Sequence, residues 1–72
     1  MNISSALFQG TKILKSNSII TADIDAEILM AKAINKDRKY ILLNSNQKVD
    51  TEALNIYKKL IENRSNRKPV AY

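Results

Sequence analysis

Helical periodicity runs through almost the whole of this chain, and only one proline and one glycine interrupt it. So few turn formers leave a sheet without punctuation, so the chain reads as packed helices. The proline marks one boundary. Lys68 precedes Pro69 and is pushed out of the helical region, and Val70-Ala71-Tyr72 then reads as the start of a strand. No other segment reads as its partner. The expectation is an all-α fold, a small bundle of four to five helices over residues 1–66. An extended linker at 67–72 then leads toward a domain that is missing here.

The pattern places the first helix at about Asn2 to Lys15, with Ile3, Leu7, Gly10 or Thr11, and Leu14 as one stripe. Phe8 and Ile13 widen that stripe. Gly10 costs roughly 1 kcal/mol against alanine in a helix, so it reads as a point of close helix approach. Ser16-Asn17-Ser18 is a connector. A second helix starts near Thr21, with Ile24, Ile28 and Ala31 on one face and Leu29 and Ala33 beside it. Asn35 is placed as a left-handed cap. Asp37 caps a short third helix that buries Tyr40, Ile41 and Leu43. After a polar loop at Asn44 to Lys48, Asp50 caps a fourth helix. Val49 and Leu54 are spaced as a hydrophobic staple, and Leu54, Tyr57, Leu60 and Ile61 form a stripe that runs to about Arg64.

Length and composition bound what such a bundle can do. Seventy-two residues allow one modest core, and cores of this size rarely supply more than about 3–5 kcal/mol. There is no cysteine for a disulfide and no histidine or cysteine for a zinc staple. The start Met1-Asn-Ile-Ser-Ser lacks a signal-peptide layout, and no apolar run approaches the roughly 20 residues that span a bilayer. The expectation is a cytoplasmic protein without a membrane segment. Abundant isoleucine, asparagine and lysine fit an A/T-rich bacterial gene.

The missing residue types close most catalytic schemes. Without histidine or cysteine, the bases, nucleophiles and metal sites built on them are unavailable. The only glycine lies inside a helix, so no glycine-rich loop cradles a phosphate. No catalytic, cofactor-binding or metal-ligating residue is therefore assigned. Asp23, Asp25 and Glu27 read as charge at a helix start, with an ion pair to Arg38 or a lysine, rather than as a cation site. Tyr40 and Tyr57 read as core residues whose hydroxyls reach the rim.

Net charge is +5, and the excess lies near the end, where Lys58, Lys59, Arg64, Arg67 and Lys68 face Glu62 alone. That stretch is either a solvated helix end or a patch that meets an acidic protein surface or nucleic acid. Interleaved exposed aromatics, which single-strand binding would want, are not evident.

Three stretches carry a family likeness. Ala22-Asp-Ile-Asp-Ala-Glu-Ile-Leu-Met-Ala31 looks like a helix written a-x-x-D-A-E-L-L-L-a. Asn35-Lys-Asp-Arg-Lys-Tyr-Ile-Leu42 looks like the capped turn and short helix that follow it. Arg64 to Tyr72 looks like R-x-x-x-E-P-[VIL]-A-Y. In this order and spacing the chain resembles the N-terminal helical domain of the PrmC/HemK family. These are the protein-(glutamine-N5) methyltransferases that act on peptide chain release factors. Lys68 stands where the family usually has Glu or Gln, and Asn35 replaces a common glycine.

The resemblance implies a division of labour. Family enzymes move a methyl group from S-adenosyl-L-methionine to the glutamine of the release factor's Gly-Gly-Gln motif. That chemistry belongs to a Rossmann-like catalytic domain with an Asn-Pro-Pro-Tyr motif, which these residues lack. Some members are also fused to a tRNA methyltransferase. The helical domain is the family's substrate-recognition part. Its implied partners are the release factor and its own catalytic domain, with Arg64, Arg67 and Lys68 as the candidates for partner contact. The alternatives are a free-standing basic helical protein that binds nucleic acid, and a helical adaptor.

Overall fold

Small polar residues set the helix ends. The computed structural model describes residues 1–66, and the linker expected at 67–72 lies outside the described residues. Four helices follow in order: α1 (Ile3–Ser16), α2 (Ala22–Ile34), α3 (Arg38–Leu43) and α4 (Thr51–Asn66). The expected caps are in place. Asp37 Oδ1 accepts from the Tyr40 amide at 2.9 Å, and Asp50 Oδ1 accepts from the Ala53 amide at 2.8 Å. Asn35 closes α2 in the left-handed region at φ 59°, where asparagine is tolerated. Ser18 does the same after α1 at φ 62°. There the Ile19 amide reaches Leu14 O at 3.1 Å and the Ser18 amide reaches Lys15 O at 3.0 Å. This Schellman turn brings Ile19 into the core against the end of its own helix.

The start of α1 is closed by tertiary contacts. A helix leaves its first four amides without partners. Here the Ser5 and Ala6 amides donate to Asn2, through Oδ1 at 2.8 Å and the carbonyl at 3.0 Å. The Ile3 and Ser4 amides donate to the carbonyls of Gln47 and Ser45, each at 2.9 Å. The Val49 amide donates in turn to Met1 O at 3.0 Å, and Asn2 and Lys48 form an isolated antiparallel bridge. The loop between α3 and α4 is therefore fastened to the chain's beginning. Nothing local in the sequence announces this.

One core lies among the four helices. Ile3, Leu14, Met30 and Ile41 are its largest fully buried side chains, and such residues contribute about 1.5–3 kcal/mol each. The face of α2 differs from the expected one. Ala22, Ala26 and Met30 point inward, while Ile24 and Ile28 are 46% and 44% exposed. Apolar residues surround α2 on every side, so periodicity alone did not select a face, and the small side chains won the crowded positions. In α1, Ala6 and Gly10 are buried beside Ile3 and Leu14, whereas Phe8 (69% exposed) and Ile13 lie outside the stripe. Leu43, expected inside, is 72% exposed at the end of α3. That helix is too short to bury two faces. Helix α4 continues past Arg64 to Asn66 and buries Ser65.

Gly10 marks the closest approach of two helices. Tyr57, 2% exposed, donates its hydroxyl to Ala6 O at 3.1 Å. A Cβ built on Gly10 would collide with that hydroxyl and stand 2.8 Å from Tyr57 Cζ and 3.0 Å from Ile61 Cδ1. The ring is pinned, so α4 itself would have to move. Overpacking costs about 1–3 kcal/mol and outweighs the roughly 1 kcal/mol of helix propensity that alanine adds. Gly10→Ala should therefore lower the Tm by several degrees, since about 1 kcal/mol moves a domain this size by roughly 4–8 °C. Tyr57→Phe in the same chain should restore part of the loss, as calorimetry of the double-mutant set would show.

Burial also pushes the Tyr57 hydroxyl up to about 12, from an ordinary 10.0. A raised acid favours the neutral form in the folded state. Its contribution is complete below pH 10 and is lost as pH climbs through about 12. Denaturant titrations across that window should show the wild type losing stability relative to Tyr57→Phe. Parallel curves for the two proteins would contradict it.

Candidate partner-binding surface

Both described arginines are committed to carboxylates of α2. Arg38, from α3, donates Nε at 3.1 Å and Nη2 at 2.7 Å to Glu27 Oε1. Arg64, from the last turn of α4, places Nε and Nη2 each 3.0 Å from Asp25 Oδ2. Asp25 also accepts from the Thr21 hydroxyl at 3.0 Å. Between the two carboxylates Ala26 is wholly buried. The three stretches that carry the family likeness are thus joined physically: the second by Arg38 and the third by Arg64, both to the Asp-Ala-Glu centre of the first.

The sequence offered the α2 acid cluster Arg38 or a lysine as partner, and the structure pairs Arg38 with Glu27. The sequence did not anticipate Asp25–Arg64, whose partners lie 39 positions apart. Arg64 therefore keeps a side chain 40% exposed while its guanidinium is held in place. The other two contact candidates, Arg67 and Lys68, lie outside the described residues. Among the described residues, all eight lysines lie outside these ion pairs and are exposed, Lys58 and Lys59 on α4 among them. Lys36 sits over the Tyr40 ring, 5.2 Å from its centroid.

Two apolar grooves mark the surface. One lies between α1, α2 and α3, has a volume of about 470 Å³, and is lined by Leu7, Phe8, Ile41 and Leu42 with Asp23 and Glu27 at its edge. The other, also about 470 Å³, runs between α1 and α4 over Gly10 and Tyr57. Among the described residues no cluster of three or more His, Cys, Asp or Glu could hold a metal ion, and no helix is long and apolar enough to cross a membrane. The described surface presents exposed cations beside these apolar grooves.

Partly exposed ion pairs contribute little on average, about 0–1 kcal/mol. Asp25→Asn and Arg64→Met, alone and together, should give a coupling below about 1 kcal/mol in a denaturant double-mutant cycle. A coupling of several kcal/mol would show that this pair carries the fold.

A family model described as the PrmC N-terminal domain matches residues 5–72. A release factor glutamine methyltransferase from Clostridium botulinum is 36% identical over 72 residues, which is 100% of this chain and 25% of that protein. One from Leptospira interrogans is 34% identical over 71 residues, again covering 25% of its length. A bifunctional methyltransferase from Rickettsia felis is 28% identical over 71 residues, 14% of its length. The chain thus spans a quarter or less of these relatives. No solved structure matches it significantly. With the match running over almost every residue, and its motifs tied together in one helical fold, the chain belongs to the PrmC N-terminal domain family.

Proposed function

We propose that this chain is the substrate-recognition domain of a methyltransferase that modifies the glutamine of the Gly-Gly-Gln motif in peptide chain release factors. The carrying observation is the family match over residues 5–72, with nearly the whole of this chain aligning to a quarter of proteins named as release factor glutamine methyltransferases. The parent enzyme is bacterial and cytoplasmic. Its S-adenosyl-L-methionine site and its catalytic residues lie in the three quarters of the relatives' length that this chain does not cover. These 72 residues hold and orient the release factor and transfer no methyl group themselves. Holding a protein substrate beside a distant reactive centre lowers KM without contact to the reacting atoms.

Arg67 and Lys68 are the proposed contacts, with Arg64 beside them where Asp25 fixes its direction. Lys58 and Lys59 extend the cationic surface along α4. The partner surface they suit is acidic. Cations at the edge of an interface chiefly raise the association rate and its sensitivity to salt.

The test uses the full-length enzyme. Arg67→Glu with Lys68→Glu should raise KM for the release factor about tenfold, equivalent to about 1.4 kcal/mol. Affinity for S-adenosyl-L-methionine and kcat at saturating release factor should stay unchanged. An unaltered KM would remove these residues from the contact. Methyl transfer by the isolated 72-residue chain would sink the non-catalytic reading altogether. The basic end also motivates nucleic-acid binding as a second reading. That reading requires affinity for RNA or DNA that falls with a slope of several charges as salt rises.

A further inference from the structure

The groove between α1, α2 and α3 leaves large apolar side chains open on two facing walls. Phe8 stands 69% exposed on the α1 wall, and Leu42 stands 57% exposed on the α3 wall. Leu7 and the wholly buried Ile41 line the space between them. Neighbouring exposed apolar side chains of this kind mark interaction surfaces, whereas scattered ones need no explanation. The same groove carries charge. Lys15 lies on the α1 wall and Asp23 on the α2 wall, and neither forms an ion pair among the described residues. Glu27, the other charged lining residue, is already held by Arg38. Lys15 in the last turn of α1 and Asp23 in the first turn of α2 each suit their helix end. That accounts for the sign of each charge and not for its place beside an open apolar groove.

We propose that the occupant is the same groove of a second copy of this chain, related to the first by a two-fold axis along the groove. Such an axis lays the α1 wall of each copy over the α2–α3 wall of the other. Phe8 of each copy then packs beside Leu42 of the other, and Lys15 of each pairs with Asp23 of the other. A two-fold makes every contact twice, so it requires a surface that is its own complement. This groove meets that requirement in both respects. Its two walls carry opposite unpaired charges, and each wall brings one large apolar side chain. A foreign partner would have to supply both complements from its own surface. The net charge of +5 does not oppose the contact locally. The lining is balanced, Lys15 against Asp23 and Arg38 on Glu27, and α4 with its lysines contributes no residue to it.

One apolar strip with an ion pair at each side makes a reversible, concentration-dependent association. Because α4 takes no part, its lysines stay open to another partner while the two copies are joined.

The test is sedimentation velocity on the full 72-residue chain. Between about 10 µM and 1 mM, a span that covers weak dissociation constants, monomer should pass to dimer. Phe8→Glu should weaken the association by about tenfold or more, since it sets a charge into the apolar strip. Lys15→Glu alone and Asp23→Lys alone should each weaken it by a similar factor, because each sets like charges against one another twice. Mixed in equal amounts, these last two variants should associate as well as the unaltered chain. Each then supplies the charge that the other lacks, and both pairs become attractive. A role confined to the helix ends predicts no recovery on mixing. All three positions are exposed, so the variants keep the fold, which circular dichroism checks. A monomer throughout the range, a dimer indifferent to Phe8→Glu, or no recovery on mixing would overturn the proposal; a monomer would leave the groove to a foreign partner. The result is independent of release-factor recognition, because no readout involves a release factor or methyl transfer.

Discussion

The fold depends on the close seating of α2, whose Ala26 is buried between two carboxylates that reach outward to other elements. A side chain this small at the centre lets neighbouring backbones approach, and the flanking acids then find arginines on both sides. Arg38 ties α3 to α2, and Arg64 ties the last turn of α4 to the same helix. Each pair is partly exposed, so its energy is modest. What the pairs supply is register. A one-residue slip of α2 would swing both carboxylates off their partners and turn Met30 out of the core. Apolar burial stabilises the bundle, and each ion pair adds a modest constraint on how α2 sits against α3 and α4.

Local chemistry was the legible part of this structure. Asp37 and Asp50 cap helices because a short acceptor before a helical run has one good use. Asn35 enters the left-handed region because few other residues do so cheaply, and Gly10 signalled a close approach because nothing else justifies a glycine within an apolar stripe. The acid cluster on α2 called for a cation, Arg38 or a lysine, and the structure supplies Arg38 to Glu27. The inward face of α2 was not legible in this way. Its isoleucines out-score its alanines on any hydrophobicity scale, yet Ala22 and Ala26, with the unbranched Met30, take the inward positions. Phe8 and Leu43 were misread for a related reason: periodicity assigns stripes but does not know how wide a face its neighbours can cover. The bonds from Ile3 and Ser4 to the loop before α4, and the Asp25–Arg64 pair, join positions far apart in sequence. They arise only once the helices have packed.

The candidate site divides the same way. Sequence marked the end of α4 as cationic and named Arg64 within it. It could not tell a committed cation from an available one, because that distinction lies in the geometry of Asp25. The division that emerges follows from side-chain chemistry. Guanidinium groups are planar and present several fixed donors, which suits a rigid internal brace. Both described arginines serve in that role. Lysine ends are mobile point charges on long stems, and the eight among the described residues remain at the surface.

A surface of that kind has particular consequences for recognition. Mobile ammonium groups attract an acidic partner over distance and add little to the geometry of the final complex. Precision must then come from elsewhere, from exposed apolar side chains. On the proposed reading the domain binds the release factor equally before and during methyl transfer, since it touches none of the reacting atoms. Binding of that uniform kind lowers KM and leaves kcat to the catalytic domain. A bundle with a small core is adequate for such a task. The Tyr57 hydroxyl, whose acidity burial weakens, donates to the Ala6 carbonyl as part of the internal packing.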